Sequence, residues 1–395
     1  MKSDFMFTSE SVTEGHPDKL CDQISDAIVD AFLEADPFSR VIAECAVSTG
    51  ILFLATRFYS QARLDIPEIA RQIVRQTGYE KQRFNATDAT IMTSFQELPA
   101  AMYFGRDEAG MDDTELDRLA AHNPATVFGY ACNQTAALMP LPISLAHRLA
   151  RRLTAVRLQH QLTYLAPDGQ SQIGIEYRRH RPHRVHSITL VASQIDTDHP
   201  DAAGLRADLI EQVIEPVFRN ETLRPDADTR IWINPFGPVV EGGPALHAGL
   251  TGRKNAVDSY GEYARHGGSA LSGKDPYRID RVGAYAARHA AKNVVAAGLA
   301  DECEITLSYS IGIAAPVSLQ VETFGTGRLD DEEIRKRVAA NFDFRLGAII
   351  RRYHLRDLPT RFKGGFYRRL AAYGHVGRQD IALPWEQTDA AAALR

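Results

Sequence analysis

The feature that most constrains the fold is a repeated pattern of two β-rich runs followed by helical segments. Residues 41–48 and 51–60 flank Thr49-Gly50, and we expect a hairpin in which Gly50 supplies the positive φ of the turn. Alternating apolar residues, typical of half-buried strands, recur in two later pairs of runs: SQIGIEY with HSITLVASQ, and ITLSYSIGIA with VSLQVETFG. Each pair predicts an antiparallel hairpin.

Helical periodicity accounts for most of the segments between these pairs. Residues 18–36 predict a surface helix, on which Asp22, Asp26 and Asp30 fall four apart on a face of their own. Further helices are predicted over 65–77, 143–158, 203–218, 280–297 and 331–342. Blocks of hairpin plus helix indicate α+β sandwiches side by side rather than a single parallel sheet.

The length and composition allow two or three domains, since 395 residues with 44% apolar content can bury a large core. We place boundaries near residues 104–124 and at the Pro/Gly-rich stretch 234–244, which gives domains 1–103, 104–232 and 233–395. The run GRDEAGMDDTELDR carries many charges and few apolar anchors, which favours a mobile surface segment or a lid.

Charge and hydropathy argue against several classes of partner. A net charge of -5 and a pI near 6.2 provide no global basic field for nucleic acid or anionic membranes. No apolar run approaches the roughly 18 residues that span a bilayer, and the start MKSDFMFTSE lacks a signal-peptide core. We expect a cytoplasmic protein, with reduced core cysteines at Cys21, Cys45, Cys132 and Cys303.

The richest candidate for chemistry is the stretch 249–281, GLTGRKNAVDSYGEYARHGGSALSGKDPYRIDR. Glycines let backbone amides approach a ligand closely, and fixed cations among them make an anion cradle. The cations are Arg253, Lys254, Arg265, Lys274, Arg278 and Arg281. The implied ligand is a polyphosphate, and the alternative is a solvated basic loop.

Residues 268–275 approach the Walker A pattern but do not complete it. Asp275 stands where that pattern needs a magnesium-binding Ser or Thr, and the preceding YGEYARHG is no buried strand. We therefore reject a P-loop fold, while keeping Lys274 as a lysine in a glycine-rich phosphate loop.

Magnesium normally accompanies a polyphosphate and takes one or two carboxylates. Asp18 and Asp280 each open a predicted helix, and each is either a ligand or only an N-cap. His16 lies beside the first of them. Glu44 interrupts the apolar run VIAECAVS; a buried carboxylate there needs a cation or a donor, unless the position faces solvent.

At these residues the sequence resembles the S-adenosylmethionine synthetases, also called methionine adenosyltransferases. The N-terminal stretch FTSESVTEGHPDKLCDQISDA matches the signature of that family, and GLTGRK and ARHGGSALSGKDPYRIDR match its phosphate region. The similarity continues through FGYACNQT, INPFGPVVEGGP, AYGHVGR and LPWEQTD. It covers nearly the whole chain, from Phe7 to Asp389.

The resemblance implies three similar α/β-sandwich domains, with antiparallel sheets and helices, related by pseudo-threefold symmetry. It also implies active sites shared between subunits of a homodimer or homotetramer. In that family methionine sulfur attacks C5′ of ATP, the triphosphate leaves, and the enzyme hydrolyses it to pyrophosphate and phosphate. The task is mainly one of positioning and electrostatic stabilisation.

The resemblance also assigns roles to residues. His16 would favour departure of the C5′ oxygen, Arg253, Lys254 and Lys274 would clamp the phosphates, and no role follows for Lys19. Asp18 and Asp280 would hold Mg²⁺, and Glu44 would bind K⁺. Arg278 falls where the family usually has lysine, which alters hydrogen-bond geometry. The amino-acid side would include Arg57, Asn123, His247, Arg278 and Ile311.

Most departures from the family pattern fall on the amino-acid and adenine side, and few on the phosphate side. The family motif GAGDQG is replaced by AAHNPA, so that an aspartate becomes Asn123. Two acids of the family become Arg57 and His247, an aromatic residue facing adenine becomes Val239, and a lysine on the triphosphate side becomes Gln170.

These changes affect the amino-acid substrate most. Exchanging two acids for Arg57 and His247 removes charge-assisted bonds to a methionine ammonium, each worth roughly 1 to 3 kcal/mol, unless Glu97 or Glu241 replaces them. Three hypotheses follow: a divergent methionine adenosyltransferase; a paralogue that transfers adenosyl to another nucleophile or only cleaves triphosphate; and a catalytically weak regulatory homologue.

Overall fold

The computed structural model describes residues 4–80, 82–99, 107–195 and 199–395. Its strands are β1 Phe5–Val12, β2 Arg40–Ser48, β3 Ile51–Tyr59, β4 Thr90–Glu97, β5 Ala125–Cys132, β6 Leu165–Arg178, β7 Arg181–Gln194, β8 Arg230–Ile233, β9 Val239–Val240, β10 Gly249–Leu250, β11 Glu302–Tyr309 and β12 Ser318–Glu322. Its helices are α1 Pro17–Ala35, α2 Ile66–Thr77, α3 Asp113–Leu116, α4 Leu141–Leu158, α5 Ala202–Leu209, α6 Glu215–Phe218, α7 Asn255–Asp258, α8 Ile279–Ala296, α9 Asp331–Asn341, α10 Leu346–Tyr353, α11 Leu358–Arg361, α12 Tyr367–Leu370 and α13 Ala391–Leu394.

The strands form three sheets, which agrees with an α+β fold of three sheet-and-helix units. The first sheet has the order β1-β6-β7-β8 with β9 beside β7, the second β10-β2-β3-β4, and the third β12-β11-β5. Most neighbours are antiparallel, but β3 with β4, and β7 with β8 and β9, are parallel. Each sheet combines strands from more than one of the domain ranges predicted from the sequence: β1 pairs with β6, β10 with β2, and β11 with β5.

All three predicted hairpins are present. The β2–β3 hairpin closes with Ser48 opposite Ile51, but the positive φ of its turn, 54°, belongs to Thr49 rather than to Gly50 as predicted. The third hairpin is shorter than its pattern suggests, because β11 ends at Tyr309 and the chain turns before Ile311.

The predicted helices also form, with ends shifted by one or two residues. The exception is 203–218, where a π-helical turn over Ile210–Ile214 separates α5 from α6. Pro216, which has no backbone N–H to donate, follows directly. All four cysteines are buried and unpaired, which confirms the prediction of reduced core residues.

The prediction that the first helix lies on the surface is wrong. α1 packs against β2, α2 and α12, and its acidic face is as buried as its apolar face: Asp22, Asp26 and Asp30 are at most 3% exposed. Buried carboxylates need hydrogen-bond or charge partners. These partners organise the site described below.

The segment predicted as a lid lies partly outside the described residues, which resume at Asp107. From there Met111 and Leu116 of this run are buried and anchor it, and its role as a lid stays a prediction. Glu108 is also buried, accepts a hydrogen bond from the Tyr277 hydroxyl and pairs with Arg356. Among the helices that the structure describes, none combines the length and apolar content needed to cross a membrane.

Candidate active site

Three acidic residues of α1 bind the backbone of two glycine-rich loops within 249–281: residues 249–254, here called the first loop, and residues 267–275, the second loop. Spaced four apart, they lie one above the other on one face of the helix, and each carboxylate accepts a loop N–H. The bonds run from Leu250 to Asp18 (3.0 Å), from Gly252 to Asp22 (2.8 Å) and from Gly273 to Asp26 (2.8 Å). The helix is therefore the scaffold on which both loops are placed.

The edge of β2 fixes the same loops from the other side. Residues 249–250 pair with 46–47, and the N–H of Thr251 donates to Cys45 O at 2.9 Å. Further along β2, the N–H of Ala43 donates to Gly273 O at 2.8 Å. Cys45 and Ala43 are two residues apart, about 7 Å along a strand. The two loops thus lie side by side on one strand.

A buried ion pair locks the second loop. Arg281 donates to both carboxylate oxygens of Asp26, at 2.7 and 3.0 Å, and both side chains are fully buried. The same guanidinium donates to the carbonyl of Lys274 at 2.9 Å. The backbone of Lys274 is therefore fixed independently of its side chain.

A second buried group explains Lys19, for which the sequence suggested no role. Its ammonium contacts Asp22 at 2.9 Å and Asp258, and all three side chains are fully buried. Burial lowers the pKa of Lys19, but the two carboxylates raise it more, so that the net shift is upward. The triad joins α1 to α7, the short helix directly after the first loop.

His16, Asp18, Asp168 and His247 form the first group of functional side chains, here called the histidine cluster. His16 caps α1, its Nδ1 accepting the N–H of Asp18 at 3.2 Å, and its ring centroid lies 5.0 Å from that of His247. His247 Nε2 lies 3.0 Å from Asp168 Oδ2. Burial lowers the pKa of His16 to about 4, whereas the hydrogen bond with Asp168 raises that of His247.

Two cations of the first loop border the histidine cluster. The guanidinium of Arg253 is about half exposed and lies 3.7 Å from Asp18 Oδ1. Lys254 is less exposed and lies 3.4 Å from Glu10 Oε1. Both positive charges lie near the N-terminus of α1, where they could contact an anionic ligand.

Lys274, Asp280 and Asn123 form the second group, here called the lysine cluster. Lys274 Nζ lies 3.3 Å from Asp280 Oδ2, and the Asn123 amide donates to both oxygens of Asp280 at 3.2 and 3.3 Å. Burial lowers the pKa of Lys274, opposed by Asp280, and nearby Arg278 lowers it further. The turn containing Ile311 hydrogen-bonds to Ala121, two residues before Asn123.

The N-cap alternative is wrong for both candidate magnesium ligands. His16 and Arg278 occupy the N-cap positions of α1 and α8. Asp18 and Asp280 instead direct their carboxylates to the first loop and to the lysine cluster, respectively. Both are buried, so that each is held for something other than capping its helix.

Glu44 and Arg57 lie apart from both clusters, on the outer face of the second sheet. Both are exposed, so that the prediction of a buried Glu44 is wrong and the solvent-facing alternative is right for this chain. Gln170 is exposed on β6 and Val239 is half-buried on β9. Within the described ranges, no hydrogen bond or ion pair joins the histidine cluster to the lysine cluster.

The outer face around Glu44 is unusually apolar. The strand registers place Leu250, Ala46, Phe53 and Met92 in one row across the second sheet. Leu250, Phe53 and Met92 are each between 41% and 52% exposed. Adjacent exposed apolar side chains of this kind mark interaction surfaces.

Sequence reasoning missed Asp168 and the role of Asp26. The inclusion of Arg281 among the cations of the anion cradle was wrong, because its guanidinium is fully buried in the ion pair with Asp26. The spacing of the acids on α1 was visible, but nothing local distinguishes a solvated acidic face from one that holds loops more than 200 residues away. Asp168 gave no signal of its own within PDGQSQ.

Comparison with known proteins identifies the family of the chain. Family models of S-adenosylmethionine synthetase match three successive parts of the chain: the N-terminal domain at residues 4–99, the central domain at 118–239 and the C-terminal domain at 241–387. The S-adenosylmethionine synthases of Synechococcus sp. (strain JA-3-3Ab) and Thermosynechococcus vestitus are each 48% identical to it, over 99% of this chain and 97% of theirs. That of Trichodesmium erythraeum is 46% identical, over 100% and 97%. The chain belongs to the S-adenosylmethionine synthetase family.

Proposed function

We propose that the protein transfers the adenosyl group of ATP to methionine, releasing phosphate and pyrophosphate. The observation that carries this proposal is the placement of both glycine-rich loops on β2 and α1, so that the loops bearing Arg253, Lys254 and Lys274 lie side by side. A triphosphate leaving group carries about four negative charges. Cations that are already in place stabilise such charge without reorganisation.

Within this proposal His16 faces the C5′ oxygen, and the three cations of the loops hold the phosphates. Burial keeps His16 neutral near pH 7, so that it can donate a hydrogen bond from Nε2 while Nδ1 accepts from Asp18. Fixing the leaving group this way leaves the sulfur to be aligned with C5′, which is a matter of position.

Asp18 and Asp280 fit Mg²⁺, because both offer buried carboxylate oxygens, the ligand type that this ion prefers. When bound, the ion neutralises charge on the triphosphate. For K⁺ the support is smaller: Glu44 is a single exposed carboxylate, and the remaining ligands would have to come from whatever covers this face.

We also propose a homodimer or homotetramer in which a second copy covers the outer face of the second sheet and completes the site. The exposed row Leu250, Phe53 and Met92 supports it, as does the absence, within the described ranges, of any hydrogen bond or ion pair between the two clusters. A cytoplasmic location is supported by four unpaired cysteines.

A product assay tests the function directly. The purified protein is incubated with ATP, Mg²⁺ and K⁺, with and without methionine, and the adenosyl products, triphosphate and pyrophosphate are followed by mass. We expect S-adenosylmethionine only when methionine is present. Turnover only with another acceptor would support the paralogue, and complete inertness would support the regulatory homologue.

A second experiment tests whether Arg57 lies near the amino group of methionine. Arg57→Glu should lower the KM for methionine by about tenfold, because a carboxylate there would attract the ammonium that arginine repels. Steady-state kinetics against methionine at saturating ATP measure the change. Arg178→Glu, an exposed charge reversal at the end of β6, is the matched control. An unchanged or higher KM in Arg57→Glu would place Arg57 away from the amino group.

A further inference from the structure

Three side chains of the histidine cluster converge on one point. His16, Asp168 and His247 each offer one ligand atom, and these atoms lie within 4.8 Å of one another. We propose that these three residues form a binding site for a divalent transition-metal ion of the Zn²⁺ type, separate from the magnesium ligands Asp18 and Asp280.

The donor set selects the ion. Two imidazole nitrogens and one carboxylate oxygen suit Zn²⁺ and its neighbours, whereas Mg²⁺ takes oxygen ligands and keeps several waters. Three protein ligands leave a fourth position for water or a substrate atom. In a tetrahedral site with bonds of about 2.0 Å the ligand atoms lie about 3.3 Å apart, so that small side-chain rotations close the group.

Asp168 provides an independent observation. Its side chain is only 7% exposed, and Oδ2 is oriented by the N–H of Gly243 at 2.8 Å and by His247 at 3.0 Å. Oδ1 is buried without a hydrogen-bond partner in the part of the chain that the structure describes. A carboxylate oxygen buried in this way is costly unless a cation or a donor reaches it.

His16 must change its tautomer to bind a metal through Nε2. In the structure Nδ1 accepts the N–H of Asp18, which leaves the ring proton on Nε2. Ligation through Nε2 moves that proton to Nδ1, which then no longer accepts the N–H of Asp18 but lies 3.8 Å from Asp18 Oδ2. A bound ion would also take the place of the hydrogen bond from Nε2 to the C5′ oxygen. A carboxylate behind a metal-bound imidazole is a common arrangement that fixes the ring.

His247 determines which metal ion the site prefers. An aspartate at this position, as the resemblance implies for relatives, would leave one imidazole and two carboxylates, a set poorer in nitrogen and closer to the preferences of Mg²⁺. His247→Asp therefore offers a conservative test of ion preference, alongside His247→Ala, which removes a partly exposed ring.

The test measures binding alone, so that it stands or falls independently of adenosyl transfer. The full chain is freed of metal with a chelator and dialysed, then titrated with ZnCl₂ by calorimetry and with Co²⁺ by visible absorption. We expect one Zn²⁺ per chain and a tetrahedral Co²⁺ spectrum. His247→Ala, His247→Asp and Asp168→Asn should each weaken Zn²⁺ binding by about tenfold or more.

Two controls locate the ion. Asp280→Asn, in the lysine cluster, and His183→Ala, at an exposed histidine of β7, should leave the affinity for Zn²⁺ unchanged. Circular dichroism and the Tm without metal check that each variant is folded. His247→Ala, which removes a partly exposed ring, decides the question if Asp168→Asn misfolds. Absence of stoichiometric binding, unchanged affinity in His247→Ala, or an equal loss in Asp280→Asn would overturn the proposal.

Discussion

Lys274→Ala should lower kcat by about two to three orders of magnitude, the usual loss when one group that stabilises transition-state charge is removed. The ammonium is half-buried beside Asp280, where water cannot replace it fully. The fold should survive, because the backbone at this position is held by Arg281 and by β2. Product formation at saturating ATP and methionine measures kcat, and the Tm checks the fold.

Two matched variants sharpen this prediction. Lys274→Arg keeps the charge with a different hydrogen-bond geometry, and should retain more activity than Lys274→Ala. Lys336→Ala removes an exposed lysine of α9 and should leave kcat unchanged. Near-normal turnover in Lys274→Ala would remove the second glycine-rich loop from the active site.

Much of the architecture could be predicted because its determinants are local. Alternation along residues 41–60 specified both strands of a hairpin, and the periodicity of 280–297 specified α8 to within one residue. The glycine and cation content of 249–281 also predicted an anion site without reference to distant residues. Turn details were less secure, since Thr49 adopted the conformation expected of Gly50.

The buried side-chain pairs that hold the site in place could not be predicted in the same way. Asp26 is separated from Arg281 by 255 positions and Asp168 from His247 by 79, and no local pattern marks such pairs. Glu44 shows the converse problem: an acid within an apolar strand suggested burial, but the apolar neighbours Phe53 and Met92 are themselves exposed. Patterning cannot distinguish a core face from an apolar face that is exposed in the single chain.

Asp26→Asn should reduce the free energy of unfolding by about 3 to 5 kcal/mol, the cost of leaving a buried charge without its partner. Both Asp26 and Arg281 are fully buried, so that solvent cannot compensate the guanidinium. The substitution keeps the size of the side chain and creates no cavity. Urea unfolding followed by circular dichroism measures the change, with Glu332→Gln in the exposed pair with Arg335 as a control that should change little.

A second substitution separates stability from positioning. Adding Arg281→Met to Asp26→Asn removes the uncompensated charge, so that part of the lost stability should return. Activity should not return with it, because the bond from Arg281 to the Lys274 carbonyl and the charged acceptor for the Gly273 N–H are both missing. Recovery of stability and kcat together would show that the ion pair only stabilises the fold, whereas recovery of stability alone would assign it the placement of Lys274.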